Sequence, residues 1–132
     1  MMKKITSFLI VFVTSVLSFS TFAQNGVVVS QTEINEESVS RVYLGQSQVL
    51  KGVNLPEDSS ARKAFEESLV GKSGEQLKRH WAKLKFTGRG TPLNELKSDD
   101  EVISFLLNNP QGIGYVSDKS KVTDELNIIT SF

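Results

Sequence analysis

Short β-branched runs alternate with segments of helical periodicity along this chain, and this alternation limits the possible folds more than any other feature. Residues 26–30, 112–116 and 126–130 are read as strands, because each is a brief apolar run bounded by polar or turn-forming residues. Two shorter strands are expected at residues 49–50 and 53–55. Strands separated by helices are typical of the α/β class, so the sequence predicts a small mixed sheet flanked by helices.

Capping residues and glycines mark where the intervening helices begin and end. Thr32 is expected to cap the first helix, and Gly45 to end it. A second helix is predicted over residues 60–70, and Gly71 stops it. Two further helices begin at capping boxes, in which a serine is followed three residues later by a glutamine or a glutamate: Ser73 with Gln76, and Ser98 with Glu101.

The first 23 residues have the features of a secretory signal peptide. Lys3 and Lys4 form a basic start, residues 5–17 are almost wholly apolar, and Ala23 ends a cleavage motif of small residues. The apolar run is short for a bilayer span, which needs about 20 apolar residues. We therefore expect export to the periplasm, cleavage after Ala23, and a mature domain of residues 24–132 that is not embedded in the membrane.

The composition excludes several classes of partner and chemistry. The chain contains no cysteine, so the exported domain has no disulfide and must be stabilised by packing alone. Without Lys3 and Lys4, the 15 basic residues fall to 13, against 15 acidic ones. This balance argues against a nucleic-acid partner, because binding to a phosphate backbone needs a strongly basic face.

No group of residues in the sequence has the composition of a catalytic or metal site. His80 is the only histidine, and no serine beside it is an obvious nucleophile. The adjacent carboxylates Asp99 and Asp100 are explained by the start of a helix, where acidic residues are favoured. We therefore expect no enzyme activity, no metal and no cofactor.

The start of the second predicted helix is the best candidate for a binding site. The first turn of a helix leaves N–H groups unpaired, and the helix dipole adds a partial positive charge, so a small oxyanion can bind there. Ser59 and Ser60 add hydroxyl donors, Arg62 adds charge one turn in, and Arg89, flanked by glycines, would be a second anchor. The same residues also have a purely structural interpretation, in which Asp58 or Ser59 only caps the helix.

Several motifs, in order, resemble the phosphate-type periplasmic solute-binding proteins, which have the type 2 periplasmic binding fold. The similar stretches are SRVYLGQ, DSSARKAF, HWAKLKFTGRGTP and NNPQGIGYVSDKS, of which FTGRG and GIGYV are the more specific. The resemblance covers most of residues 27–132 and implies a single lobe. In the family, two such α/β lobes close on phosphate and deliver it to an ATP-driven ABC permease.

The chain departs from the family pattern at the expected ligand site. Ser59 matches the serine of the family's serine-glycine-threonine helix start, whereas Ser60 and Ala61 replace the other two residues. Leu55 lies where the full-length proteins have an arginine, which is the strong bidentate contact for an oxyanion, and Glu57 where they have an aspartate. A lone lobe cannot close like a clamshell, so it would need a partner chain, a homodimer interface, or an open and weak site.

Two functions remain open on the sequence. The first is an exported protein that binds phosphate or a similar small oxyanion and is linked to ABC-type phosphate transport. The second is a periplasmic interaction or regulatory module that kept the lobe and lost the ligand pocket. The serines Ser59 and Ser60 favour the first function, and the replacements at Leu55 and Ala61 favour the second.

Overall fold

The computed structural model describes residues 25–132, which form one mixed sheet with helices packed against it. The predicted signal peptide, residues 1–23, lies outside the described residues. Within residues 25–132, no helix is long and apolar enough to cross a membrane. The α/β class and the small mixed sheet predicted from the sequence are confirmed.

Five strands form the sheet in the order β3-β2-β4-β1-β5. The strands are β1 (Val27–Ser30), β2 (Lys51–Asn54), β3 (Asn94–Glu95), β4 (Gly112–Val116) and β5 (Asn127–Ser131). β2 runs parallel to both β3 and β4, whereas β1 is antiparallel to β4 and β5. The carboxyl ends of β2, β3 and β4 therefore meet at one edge of the sheet, and their amino ends meet at the opposite edge.

Four α-helices connect these strands. They are α1 (Glu36–Tyr43), α2 (Ser60–Phe65), α3 (Gly74–Phe86) and α4 (Asp99–Asn108). α2 continues directly into a π-helical turn, Glu66–Val70, and Gly71 ends it with a positive φ of 75°. Ser73 and Gln76 form the predicted capping box at the start of α3, with both reciprocal hydrogen bonds present.

Three predictions about local structure were wrong. Ser98 caps α4, but its capping box is incomplete, because the Glu101 carboxylate accepts the N–H of Lys97 at 2.8 Å. Contacts between distant residues explain the other two differences. Thr32 does not cap α1, because its hydroxyl donates to the carbonyl of Pro110 at 3.0 Å. Asn35 caps the helix instead and accepts the N–H of Ser38. The two strands expected at residues 49–50 and 53–55 are one strand, β2, because pairing with β4 begins at Lys51.

An aromatic cluster lies at the centre of the core. The rings of Phe65 and Tyr115 are stacked with centroids 4.1 Å apart. Tyr43 meets the edge of the Phe65 ring at 4.6 Å, and Phe132 meets it at 5.5 Å. Since these residues come from α2, β4, α1 and the chain end, the cluster joins four segments of the chain through Phe65, which is fully buried.

We expect Phe65→Ala to lower the free energy of unfolding by about 3–5 kcal/mol, because it opens a cavity among three other aromatic rings. Phe86→Ala is the matched control, since Phe86 is 93% exposed at the end of α3. The control should change stability by less than about 0.5 kcal/mol. Urea denaturation of both variants measures the difference, and equal losses would contradict a core centred on Phe65.

Candidate anion site at the carboxyl ends of the parallel strands

A shallow cavity of about 460 Å³ lies where the parallel strands end. The segment after β2 contributes Leu55 and Pro56, the segment after β3 contributes Lys97, and the segment after β4 contributes Ser117. In open α/β sheets, ligands bind at the carboxyl ends of the strands. The cavity is therefore in the part of the fold where a small ligand is expected.

The start of α2 borders this cavity and keeps backbone donors available. Ser59 lines the cavity as the N-cap, and its Oγ accepts the N–H of Arg62 at 3.3 Å. Ser60 follows it and is exposed. Among the hydrogen bonds of residues 25–132, none uses the N–H of Ser60 or of Ala61 as a donor. Two first-turn N–H groups of α2 thus have no acceptor among the described residues, although Ala61 is buried and neither Ser60 nor Ala61 lines the cavity itself.

The start of α4 lines the same cavity, and the carboxylate of Asp99 there already accepts hydrogen bonds from neighbouring donors. Ser98 caps α4 by accepting the N–H of Glu101 at 3.3 Å. Asp99 accepts the N–H groups of Ser117 and Asp118, both at 3.1 Å, and the Ser117 hydroxyl at 2.7 Å. The turn after β4 therefore has its donors occupied by a side chain of the protein itself.

Two lysines and two aspartates set the charge of the cavity. Lys97 and Lys121 line it together with Asp58 and Asp99. Lys121 donates to Asp100 at 3.0 Å, and this hydrogen bond raises the pKa of the exposed Lys121 ammonium. Neither lysine is among the site residues predicted from the sequence. Lys97 directly precedes the predicted helix start at Ser98, whereas Lys121 lies five residues after the strand predicted at residues 112–116.

Arg62 fixes the start of α2 rather than lining the cavity. Its Nε donates to Glu66 Oε1 at 3.0 Å, and its Nη1 donates to Glu95 Oε2 at 3.2 Å and to the Leu55 carbonyl at 2.9 Å. The guanidinium therefore ties α2 to the ends of β2 and β3. Of the four predicted site residues, Arg62 is close in sequence to the serines but faces the other side of the helix start.

Arg89 lies at the opposite end of the sheet from Ser59 and Ser60. It follows α3 in an exposed turn, in which its N–H donates to the Leu84 carbonyl and Gly88 has a positive φ of 70°. The side chain lines a different cavity, which also includes the first residue of β2. The structure thus brings Ser59 and Ser60 together and separates both from Arg89.

Within the part of the chain that the structure describes, no cluster of three or more histidine, aspartate or glutamate side chains could hold a metal ion. His80 contacts the Leu44 carbonyl through Nε2 at 2.7 Å, beside α1. The histidine therefore links α3 to the end of α1.

No protein-family model and no curated protein matches the sequence, but solved structures match the fold. An ABC-type phosphate transport receptor from Vibrio cholerae is 19% identical, with a TM-score of 0.57 over 81% of this chain and 46% of that chain. A phosphate ABC transporter substrate-binding protein from Clostridium perfringens, with bound phosphate, is 17% identical, with a TM-score of 0.62 over 81% and 44%. PstS from Borrelia burgdorferi is 18% identical, with a TM-score of 0.58 over 81% and 47%.

The chain shares its fold with phosphate ABC transporter substrate-binding proteins. The resemblance inferred from the motifs is confirmed as a likeness of fold. The chain spans a little less than half the length of these three structures, as expected for a single lobe. At these identities the comparison establishes architecture, so the ligand must be argued from the residues of the site.

The carboxylate of Glu66 should make stability depend on pH. Glu66 is buried, its Oε2 has no partner among the described residues, and burial raises its pKa despite the ion pair with Arg62. A carboxyl group whose pKa is higher in the folded than in the unfolded protein favours folding at low pH. This contribution is fully present below the unfolded-state pKa and is lost as the pH rises through the folded-state pKa. Glu66→Gln removes this titration, so the stability of the variant relative to the parent should increase as the pH rises above the ordinary glutamate pKa of about 4.3.

Chemical denaturation at a series of pH values tests this prediction. The matched control is Glu37→Gln, which removes an exposed carboxylate that also pairs with an arginine one turn away, at 3.0 Å. An exposed pair contributes about 0–1 kcal/mol, so the control should follow the parent closely. A difference between Glu66→Gln and the parent that stays constant over the whole range would contradict the prediction.

Proposed function

We propose that this protein is an exported solute-binding protein that holds phosphate, or a similar small oxyanion, at the carboxyl ends of β2, β3 and β4. The observation that carries the proposal is the pair of N–H groups at Ser60 and Ala61 that no acceptor among the described residues uses, directly after Ser59, which lines the cavity at this edge of the sheet. Support comes from the fold, since proteins with the same fold are named for phosphate transport.

The residues around the cavity suit an oxyanion that carries a proton. The amides of α2, the hydroxyls of Ser59 and Ser60, and the ammonium groups of Lys97 and Lys121 would donate to its oxygens. Asp58, which lines the same cavity, would accept a hydrogen bond from a protonated oxygen. Because sulfate has no proton at neutral pH, the site should prefer phosphate to sulfate.

The proposed site is open, and we expect weak binding. Leu55 supplies only a carbonyl where the family resemblance implies an arginine, and Ala61 supplies no hydroxyl. A dissociation constant in the millimolar range corresponds to about −4 kcal/mol, which a few exposed charge-assisted hydrogen bonds can provide. Tighter binding would need a second surface over the cavity, from a homodimer, an ABC permease or another periplasmic protein.

A second candidate function is the interaction module that has lost its ligand. Asp99 favours this alternative, because its carboxylate already accepts the donors of the turn after β4. Lys121 favours it as well, since its ammonium is paired with Asp100. In this alternative the lobe contacts a transporter or envelope protein through its surface, and phosphate does not bind.

Ser60→Pro tests the proposed function at the level of one backbone N–H. Proline is favoured at the first position of a helix and removes only an N–H that the helix does not use. The preceding residue, Ser59, has φ −63° and ψ 129°, which a following proline allows. The variant should keep the parent's melting temperature without ligand and should lose at least about tenfold in phosphate affinity, as expected for one charge-assisted hydrogen bond.

Ser60→Ala is the matched control, because it removes the hydroxyl and keeps the N–H. We expect it to retain more of the affinity than Ser60→Pro when both are titrated with phosphate and with sulfate by calorimetry. Melting temperature is a second measurement, since phosphate at a hundredfold excess over its dissociation constant stabilises by about 2.7 kcal/mol. If neither anion binds the parent at tens of millimolar, the interaction module is the better account.

A further inference from the structure

A second cavity, which we call the basic groove, lies at the amino ends of the parallel strands. It runs between the loop after α1, residues 45–50, and the loop after α3, residues 88–91. Its apolar lining includes Val42, Trp81 and Leu93. The volume of about 630 Å³ is within the range of roughly 300–1,000 Å³ that is usual for small-molecule sites.

The indole of Trp81 is a fixed wall of the basic groove. Its Nε1 donates to the carbonyl of Tyr43 at 3.1 Å, so the polar edge of the ring is satisfied within the protein. Two glycines allow the loops to approach the ring: a Cβ at Gly45 would lie 3.0 Å from Cη2, and one at Gly90 would lie 3.4 Å from Cζ3. The ring is therefore positioned before any ligand binds.

All the charged side chains that line the basic groove are positive. They are Lys51, Lys85 and Arg89, and no aspartate or glutamate lines it. None of the three forms an ion pair among residues 25–132. The neighbouring cavity between α2 and α3 has four acidic and four basic lining residues, although it shares Trp81 and Lys85 with the groove. The segregation of positive charge is thus specific to the groove.

We propose that the basic groove binds a small organic anion, whose apolar body packs on Trp81 and whose acidic group is held by Lys51 and Arg89. A cationic rim around a fixed aromatic and aliphatic floor fits such a molecule, because each part of the ligand meets a surface of complementary chemistry. The groove is separated by the length of the strands from the cavity at Ser59. The inference therefore does not depend on the proposed phosphate site.

Anilinonaphthalene sulfonate is a suitable probe, because it joins aromatic rings to one anionic group. The chain has a single tryptophan, so energy transfer from Trp81 to the dye reports binding to the protein, and the variants described below locate the dye. We expect saturable transfer, with at least about tenfold weaker binding of N-phenylnaphthylamine, which has the same rings and no sulfonate. Phosphate at concentrations that raise the melting temperature should leave the dye in place.

Two double variants locate the dye. Lys51→Ala with Arg89→Ala removes cations of the basic groove and should weaken dye binding at least about tenfold. Lys63→Ala with Lys78→Ala is the matched control, because both lysines line only the neighbouring cavity beside Trp81. Both double variants change exposed residues, and their melting temperatures confirm that they fold.

Several results would overturn the proposal. They are an absence of saturable transfer, equal affinity for the neutral dye, equal weakening by the two double variants, and displacement of the dye by inorganic phosphate. A groove that fails in any of these ways leaves the phosphate proposal unaffected, because that proposal is tested at Ser60. Conversely, if the parent protein binds the dye but no phosphate, the groove proposal is supported and the phosphate proposal is not.

Discussion

The buried hydroxyl of Tyr115 fixes the end of β2, and the position of the candidate anion site depends on it. This hydroxyl accepts the N–H of Leu55 at 3.2 Å and donates to Asn54 Oδ1 at 3.0 Å. Burial raises the pKa of the Tyr115 phenol, so it remains a donor at every physiological pH. Phe65, the last residue of α2, stacks on the same ring, so the Tyr115 side chain contacts both α2 and the end of β2.

Local signals in the sequence were sufficient wherever a few adjacent residues decide the structure. Ser59 as a cap and Gly71 as a stop follow from hydrogen bonds and φ angles within one turn. The ion pairs of Arg62 could not be predicted in this way, because Glu95 is 33 residues away and belongs to a two-residue strand with no apolar pattern. Arg89 was placed with the serines because the sequence does not show at which end of the sheet a loop lies.

Arg62 also shows how the site differs from what the family resemblance implies. Its guanidinium donates to the Leu55 carbonyl, so a positive charge remains next to the position that the resemblance assigns to an arginine. That charge is shared with Glu66 and Glu95 and faces the opposite side of α2. Bidentate contact with an oxyanion would require breaking these ion pairs and would leave the buried carboxylate of Glu66 without a partner. Arg62 therefore acts on the site by holding α2 in place.

The two cavities occupy opposite ends of the same three strands, and this arrangement constrains how they can be linked. The strands are two to five residues long and pair through backbone hydrogen bonds, so they provide a rigid spacer with no hinge between the ends. A ligand at one end can change affinity at the other only if it binds two alternative arrangements unequally. The Trp81 ring and the Tyr115 hydroxyl are each fixed by hydrogen bonds, which argues for two independent sites. Coupling would instead have to come from a partner that covers both ends.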